Sequence, residues 1–194
     1  MKKNVIIIVV IALVAACVFW LIGKYNAMIT AEENVTTAWS QVENQYQRRS
    51  DLIPNLVATV KGYAEHERQV FENVTEARAK ATQMTLSEDA TPEQMMAFQQ
   101  AQGELTQALG RLLALAENYP DLKANENFRD LQAQLEGTEN RITVARNAFN
   151  EAAKAYNILI RKFPNNIVAG IFGFGQKAYF EADEGAERVP TVEF

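Results

Sequence analysis

The chain has 194 residues, of which 48% are hydrophobic, and its 19 basic and 24 acidic side chains give a formal net charge of −5 at pH 7. A single histidine and a single cysteine exclude Cys/His zinc clusters, intrachain disulfides and any Cys-His or Ser-His catalytic site that does not use His66 or Cys17. With 9 glycines and 5 prolines among many helix formers, the composition predicts an all-α protein.

The first predicted element is a membrane-spanning helix over residues 5–23, which follows a short flank of residues 1–4. The span contains no charged side chain, and about 19 residues at ~1.5 Å each nearly match a hydrocarbon core of about 30 Å. Phe19, Trp20 and Tyr25 near its far end are typical of the membrane interface. The sequence therefore predicts contact with the lipid bilayer through residues 5–23.

The charges on either side of the span predict its orientation. Lys2 and Lys3 precede it, whereas Lys24 is the only cation close behind it and Glu32 and Glu33 follow. The positive-inside rule therefore modestly favours a cytoplasmic N-terminus and an extracytoplasmic domain at the bacterial inner membrane. Once Lys2 and Lys3 are set aside, residues 24–194 carry 17 basic against 24 acidic side chains. This excess of negative charge argues against electrostatic binding to nucleic acid or to anionic lipid.

Cys17 offers a second interpretation of the same segment. Residues 14–17 read Val-Ala-Ala-Cys, which resembles a bacterial lipobox, where cleavage would leave a lipidated cysteine at the new N-terminus. A spanning helix, however, needs residues 18–22 to reach full length. The sequence predicts an uncleaved anchor, with lipidation of Cys17 as the alternative.

Beyond the anchor, apolar residues at three- and four-residue steps predict an amphipathic helix that is continuous with it. These residues are Val35, Ala38, Trp39, Val42 and Tyr46.

Ser50 or Asp51 is predicted to cap a second helix, with Pro54 in its first turn, where the missing N–H of proline is harmless. Apolar positions continue to Ala81, so this helix is predicted to span roughly thirty residues.

Two further helices complete the predicted domain. Thr91 and Pro92 form a helix start, and a fourth helix is predicted to begin between residues 121 and 127 and to end before Pro164. The apolar stripes are wider than the seam of a two-stranded coiled coil. Residues 24–164 therefore predict a bundle of long antiparallel helices.

The C-terminal tail, residues 165–194, differs in composition. It holds four of the nine glycines, including Gly185, and many aromatic residues, including Phe194. We expect the tail to fold back over the bundle. The alternative is an exposed apolar patch that contacts a partner or the membrane.

The residues that most resemble known chemistry do not complete a site. His66 begins a zinc-protease pattern, but Val70 stands where the second histidine is required. Glu72 and Glu76 lie one turn apart, and a carboxylate four residues before Lys80 predicts a surface ion pair rather than an acid/base pair. No catalytic, cofactor-binding or metal residue is predicted from these positions.

Arg48 and Arg49 are the most unusual polar residues, because they lie beside Asp51 and Asn55 at the predicted junction of two helices. The prediction is that they brace this corner. The alternative is a corner that binds an anion or a peptide, since a guanidinium presents a planar fork to carboxylates.

These residues also belong to a pattern that resembles the LemA family of bacterial membrane proteins. Among its motifs are Glu-Asn-Tyr-Pro at 117–120 and Leu-Lys-Ala-Asn at 122–125. The remaining matches lie at 25–26, 38–40, 45–49, 51–57, 60–64, 66–67, 128, 131–132, 135, 139, 145–146, 149–150, 156–157, 163–164, 173–174 and 192–194. The resemblance implies one membrane helix and a four-helix up-and-down bundle, with no established enzymatic activity and no known cofactor. One branch of the family is associated with building magnetosome membranes.

The predicted function is a membrane-anchored helical scaffold or adaptor that is not an enzyme. Its expected partners are the lipid bilayer and either another protein or a second copy of itself, and neither nucleic acid nor a small-molecule substrate is expected. The alternative is a ligand-binding or enzymatic bundle that uses arginines and carboxylates.

Overall fold

The computed structural model describes residues 2–64 and 66–181. This part of the chain forms six α-helices and contains no strand, which confirms the predicted all-α class. The helices are α1 (Lys2–Lys61), α2 (Arg68–Gln83), α3 (Pro92–Ala114), α4 (Pro120–Ala124), α5 (Glu126–Arg161) and α6 (Asn165–Phe172), and a 3-10 turn (Leu115–Asn118) links α3 to α4.

Helix α1 runs without interruption from the apolar N-terminal segment into the bundle, as the sequence predicts. Its 60 residues at ~1.5 Å each give a rod of about 90 Å. The N-terminal part is long and apolar enough to cross a membrane, and its apolar side chains are exposed. Leu21 is partly buried against the core, full burial begins at Met28, and from there one face of α1 packs against the other helices.

Helices α1, α2, α3 and α5 form the predicted up-and-down bundle. Residues 32, 49 and 63 of the α1 side hydrogen-bond to residues 156, 139 and 125 of the α5 side, so α5 runs antiparallel to α1. Lys80 of α2 meets Glu104 of α3, whereas Arg49 meets Thr106 of α3. The bundle core divides into two apolar clusters, one beside residues 28–42 of α1 and one beside residues 53–64.

The later helix boundaries follow local signals. Thr91 caps α3 through a reciprocal pair of hydrogen bonds with Gln94, and Pro92 opens the helix, as predicted. The side chain of Asn125 accepts a hydrogen bond of 3.0 Å from the Phe128 N–H and caps α5. The fourth long helix thus begins within the predicted interval of residues 121–127.

The predicted start of a second helix at Ser50 or Asp51 is wrong, because α1 continues through Pro54 to Lys61. A proline inside a helix leaves the carbonyl four residues earlier without its usual N–H donor. Here the guanidinium Nε of Arg78, on α2, donates to the Ser50 carbonyl at 3.0 Å and to Ser50 Oγ at 3.1 Å. Tertiary contact thereby replaces the lost helical hydrogen bond, and the chain turns after Lys61 instead.

The tail packs against the bundle through residue 181. Helix α6 buries Val168 and Ala169, and the segment after it buries Lys177 and Phe180. Gly173 turns the chain between them with a φ of 79°, in the left-handed region that favours glycine. Residues 182–194, which include Gly185, Phe194 and the terminal Val-X-Phe pattern, lie outside the described residues.

The role of Arg78 at Pro54 predicts a double-mutant cycle. Arg78→Ala should lower the free energy of unfolding by about 2 kcal/mol, because it leaves the buried Ser50 carbonyl without a donor. In a Pro54→Ala background, the restored N–H can reach that carbonyl, and we expect the cost of Arg78→Ala to fall by about 1 kcal/mol.

Chemical unfolding of the detergent-solubilised full chain, followed by circular dichroism, measures the cycle. Arg68→Ala, at an exposed arginine of the same helix, should change stability by less than about 0.5 kcal/mol. An unchanged cost of Arg78→Ala in both backgrounds would contradict this account of Pro54.

Candidate functional site: two buried cations in the bundle

Arg49 lies between the two apolar clusters and is only 2% exposed. Its Nη1 donates to Thr106 Oγ1 at 3.0 Å and to Glu139 Oε1 at 2.7 Å, and its Nη2 donates to Gln102 Oε1. Gln102 in turn donates to the Ala81 carbonyl of α2 at 3.4 Å. One arginine of α1 is therefore linked to all three other long helices of the bundle.

A buried cation is costly unless its charge and its donors are satisfied. Glu139 supplies the opposite charge, and the Tyr46 ring lies 5.2 Å from the guanidinium carbon. Arg49 Nε is buried with no hydrogen-bond partner among the described residues. Because both Nη atoms already bind side chains of the bundle, Arg49 acts as an internal brace.

The other predicted candidates do not converge on a site. Arg48 is exposed, and His66 is exposed in the turn before α2 rather than on a helix. Glu72 and Glu76 are exposed on α2, and Lys80 forms its ion pair with Glu104 of α3, at 2.6 Å, rather than with Glu76. Among residues 2–64 and 66–181, no group of three or more His, Cys, Asp and Glu side chains is arranged to hold a metal ion.

Lys177 is a second buried cation, and nothing in the sequence pattern predicts its burial. Its side chain is 3% exposed; Nζ lies 3.0 Å from Glu32 Oε1 and also pairs with Asp89. Burial by itself lowers the pKa of Lys177, but the hydrogen bonds and charges of Asp89 and Glu32 outweigh it and raise that pKa. The lysine is thereby held in its charged form.

The Tyr156 ring completes this cluster. It lies 5.4 Å from Lys177 Nζ, and its hydroxyl donates to Glu32 Oε1 at 3.4 Å. Burial, followed by the negative charge of Glu32, raises the pKa of Tyr156 to about 12. The phenol is therefore a neutral hydrogen-bond donor at physiological pH.

Three side-chain amides hold the main chain of the segment that carries Lys177. Asn157 accepts from the Lys177 N–H at 2.9 Å and donates to the Lys177 carbonyl at 2.8 Å. Asn150 makes the same pair with Phe180, at 2.9 Å each, and Gln99 makes it with the Glu181 main chain at 3.1 and 3.0 Å. These amides satisfy main-chain donors and acceptors of a segment that has no strand beside it within residues 2–64 and 66–181.

Phe180 fixes the side-chain register of this segment. Its ring stacks on Trp39, with centroids 5.9 Å apart and an interplanar angle of 14°, and meets Phe149 edge-on at 5.5 Å. An aromatic residue followed by asparagine occurs twice, at 149–150 and 156–157. This repeat is the sequence signal for the face of α5 that holds the tail, because a seven-residue spacing places both asparagines on one helix face. Both pairs belong to the residues that resemble the LemA family.

The geometry at Arg49 predicts that lysine cannot replace it. Arg49→Lys should lower the free energy of unfolding by about 2–3 kcal/mol, because one ammonium cannot reach Thr106, Gln102 and Glu139 from the positions of two guanidinium nitrogens. Arg48→Lys, at the exposed neighbour, should change stability by less than about 0.5 kcal/mol. Denaturant unfolding compares the two, and equal effects would contradict the assignment of Arg49 as the brace.

The raised pKa of Tyr156 predicts a loss of stability in alkali. Between pH 10.0, the ordinary pKa of tyrosine, and about pH 12, the pKa of Tyr156 in the folded protein, the folded chain keeps the tyrosyl proton. The unfolded chain has released it in this range. The stability from this group is therefore complete below pH 10 and falls as the pH rises towards 12, and Lys177 contributes in the same direction.

Unfolding free energies measured from about pH 9 to pH 12 should fall less steeply in Tyr156→Phe than in the unsubstituted chain. Tyr63→Phe, at an exposed tyrosine, is the control. Identical slopes in the unsubstituted chain and Tyr156→Phe would contradict the prediction.

Comparison with known proteins shows to which family this chain is similar. The LemA family matches residues 38–194. Magnetosome protein MamQ of Magnetospirillum gryphiswaldense is 30% identical over 178 residues, which cover 82% of this chain and 65% of the relative. Magnetosome protein MamQ 2 of Paramagnetospirillum magneticum is 29% identical over 196 residues, covering 92% of this chain and 72% of the relative.

A relative named Protein LemA, from Metamycoplasma hominis, is 23% identical over 171 residues, which cover 88% of this chain and 74% of the relative. Neither the family description nor these names denotes an enzyme. The family match includes the bundle helices from Ala38 onward, the tail segment and both buried cations. The chain therefore belongs to the LemA family.

Proposed function

We propose that this protein is a membrane-anchored helical scaffold or adaptor at the bacterial plasma membrane. The observation that carries the proposal is the continuity of α1, in which the apolar span and the first bundle helix are one rod. A helix transmits orientation as well as position, so the bundle is held at a fixed height and angle above the bilayer. A scaffold needs this property, whereas an enzyme acting on a diffusing substrate does not.

The bundle offers a partner a long open surface between α1 and α5. A shallow groove of about 440 Å³ there is lined by polar residues and by Val144, Ala145 and Ala148, and Val144 is 68% exposed. An apolar side chain with a polar surround is typical of protein contacts. We therefore propose that this groove faces a protein partner or a second copy of the chain.

The charges around the span support an extracytoplasmic bundle, because Lys2 and Lys3 precede it. The names of the magnetosome relatives favour a role in membrane organisation for this chain as well. The alternative, a ligand-binding or enzymatic bundle, requires a polar pocket that opens onto Arg48 or Arg49 together with carboxylates. Arg49 is instead enclosed by Thr106, Gln102 and Glu139, which favours the scaffold.

Site-specific photocrosslinking in intact cells tests this proposal. A photoreactive residue at Val144 should yield a reproducible adduct with another protein or with a second copy, while one at Ala79, exposed on α2, should yield much less. A monomer without neighbours at both positions would overturn the scaffold proposal.

A linker variant tests whether the continuity of α1 between the apolar span and the bundle is needed for the partner contact. A short Gly-Ser insertion after Gly23 should reduce the Val144 adduct and change the melting temperature of the bundle little, because the insertion precedes Tyr25 and the fully buried positions from Met28 onward and separates only the partly buried Leu21 from the core. An alanine-rich helical insertion of equal length is the matched control for added length.

A further inference from the structure

Helix α6 presents two different faces. Val168, Ala169 and Asn165 are buried against the bundle, while Ile167 is 53%, Ile171 68% and Phe172 54% exposed. Phe163, just before the helix, is 81% exposed. Large apolar side chains gathered on one short helix are a marked departure from an ordinary protein surface, where such residues are scattered singly.

The contacts of α6 fix its height relative to the membrane span. The Phe172 ring lies 4.9 Å from the Tyr25 ring, and the Phe174 ring lies 5.7 Å from it. Tyr25 follows the end of the predicted span at Gly23 by two residues, or about 3 Å along the helix. The exposed apolar side chains of α6 therefore lie where α1 leaves the hydrocarbon core.

The charge at this end of the bundle is opposite to that of the domain as a whole. Residues 161–173 contain Arg161 and Lys162 and no acidic residue, and Lys24 follows the span directly. The nearest carboxylates beyond the span on α1, at positions 32 and 33, are about 12 Å farther along the helix than Lys24. Although residues 24–194 have a net negative charge, Lys24, Arg161 and Lys162 make the end of the bundle beside the span basic, at the level of the lipid headgroups.

We propose that α6 is a second membrane contact, which lies in the interface of the bilayer that α1 crosses. Ile167, Ile171 and Phe172 enter the boundary between headgroups and acyl chains. Arg161 and Lys162 face lipid phosphates, in the manner of an interfacial amphipathic helix. The bilayer is the occupant of this face because the face is continuous with the exposed apolar surface of α1 at Tyr25.

This inference rests on the proposed anchoring of α1, and it deepens that proposal. A helix tied to the bundle and also seated in the interface adds a second point of attachment, which resists rotation of the bundle about the axis of α1. Both the height of the groove around Val144 and its orientation relative to the membrane plane would then be fixed.

Single-cysteine labelling distinguishes the two membrane contacts, since Cys17 is the only cysteine of the chain. An environment-sensitive fluorophore is attached to native Cys17, to Ile171→Cys in a Cys17→Ala background, or to Val144→Cys in the same background. The full chain is reconstituted into vesicles of phosphatidylethanolamine and phosphatidylglycerol. Nitroxide quenchers are carried by lipids either near the headgroup or deep in the acyl chains.

We expect the label at position 171 to be quenched by shallow nitroxides about threefold or more strongly than the label at position 144. The label at Cys17 should respond most to deep nitroxides. Because Ile171 and Val144 are equally exposed in the structure, at 68% each, a difference between them reports the membrane and not the fold.

The other outcomes overturn the inference in distinguishable ways. A quenched label at Cys17 with an unquenched, water-accessible label at position 171 would remove the contact of α6 while leaving the anchor. Protection of position 171 from an aqueous quencher without nitroxide quenching would show that protein covers this face. Absence of quenching at both Cys17 and position 171 would overturn the anchor and the inference together.

Discussion

The structure depends on one helix, α1, whose two parts have different surfaces. From residues 5 to 23, α1 is apolar on every side, which suits lipid. From Met28 onward only one face is buried, and the other helices pack against that face. Because no turn separates these parts, the direction of the apolar segment also fixes the directions of α2, α3 and α5 relative to it. Helix α6 lies beside Tyr25, two residues after the apolar segment ends.

Two buried cations give the bundle a defined register. The apolar core already opposes a shift by one turn, because Trp39 of α1 packs between Phe149 and Phe180. Arg49 does not tolerate it either, because a shift separates the guanidinium from Glu139, Thr106 and Gln102 and leaves a buried charge unpaired. Lys177 applies the same constraint to the tail, where Glu32 and Asp89 fix its position. Specific polar pairing thus adds to the register that the aromatic core contacts already impose.

Local signals in the sequence predict the features that depend on neighbouring residues. The uncharged span, the cap at Thr91 and the packing of the tail through residue 181 all follow from short segments. The helix through Pro54 does not, because the donor that makes it possible, Arg78, is 28 residues away. The partners of Arg49 lie on other helices, and Lys177 becomes a site only where the folded tail meets α1. The contacts of Arg78 and Arg49 join residues far apart in the chain, and no repeat in the sequence marks them.

The central claim, that anchor and bundle form one rigid rod, is tested most directly by a distance measurement across Gly23. Spin labels at native Cys17 and at Ser40→Cys, an exposed position of α1, are separated by 23 residues, or about 35 Å in a continuous helix. Pulsed electron paramagnetic resonance on the full chain in vesicles should give a narrow distribution centred near that distance. A broad distribution, or a clearly shorter mean, would show a hinge between span and bundle and would contradict the account.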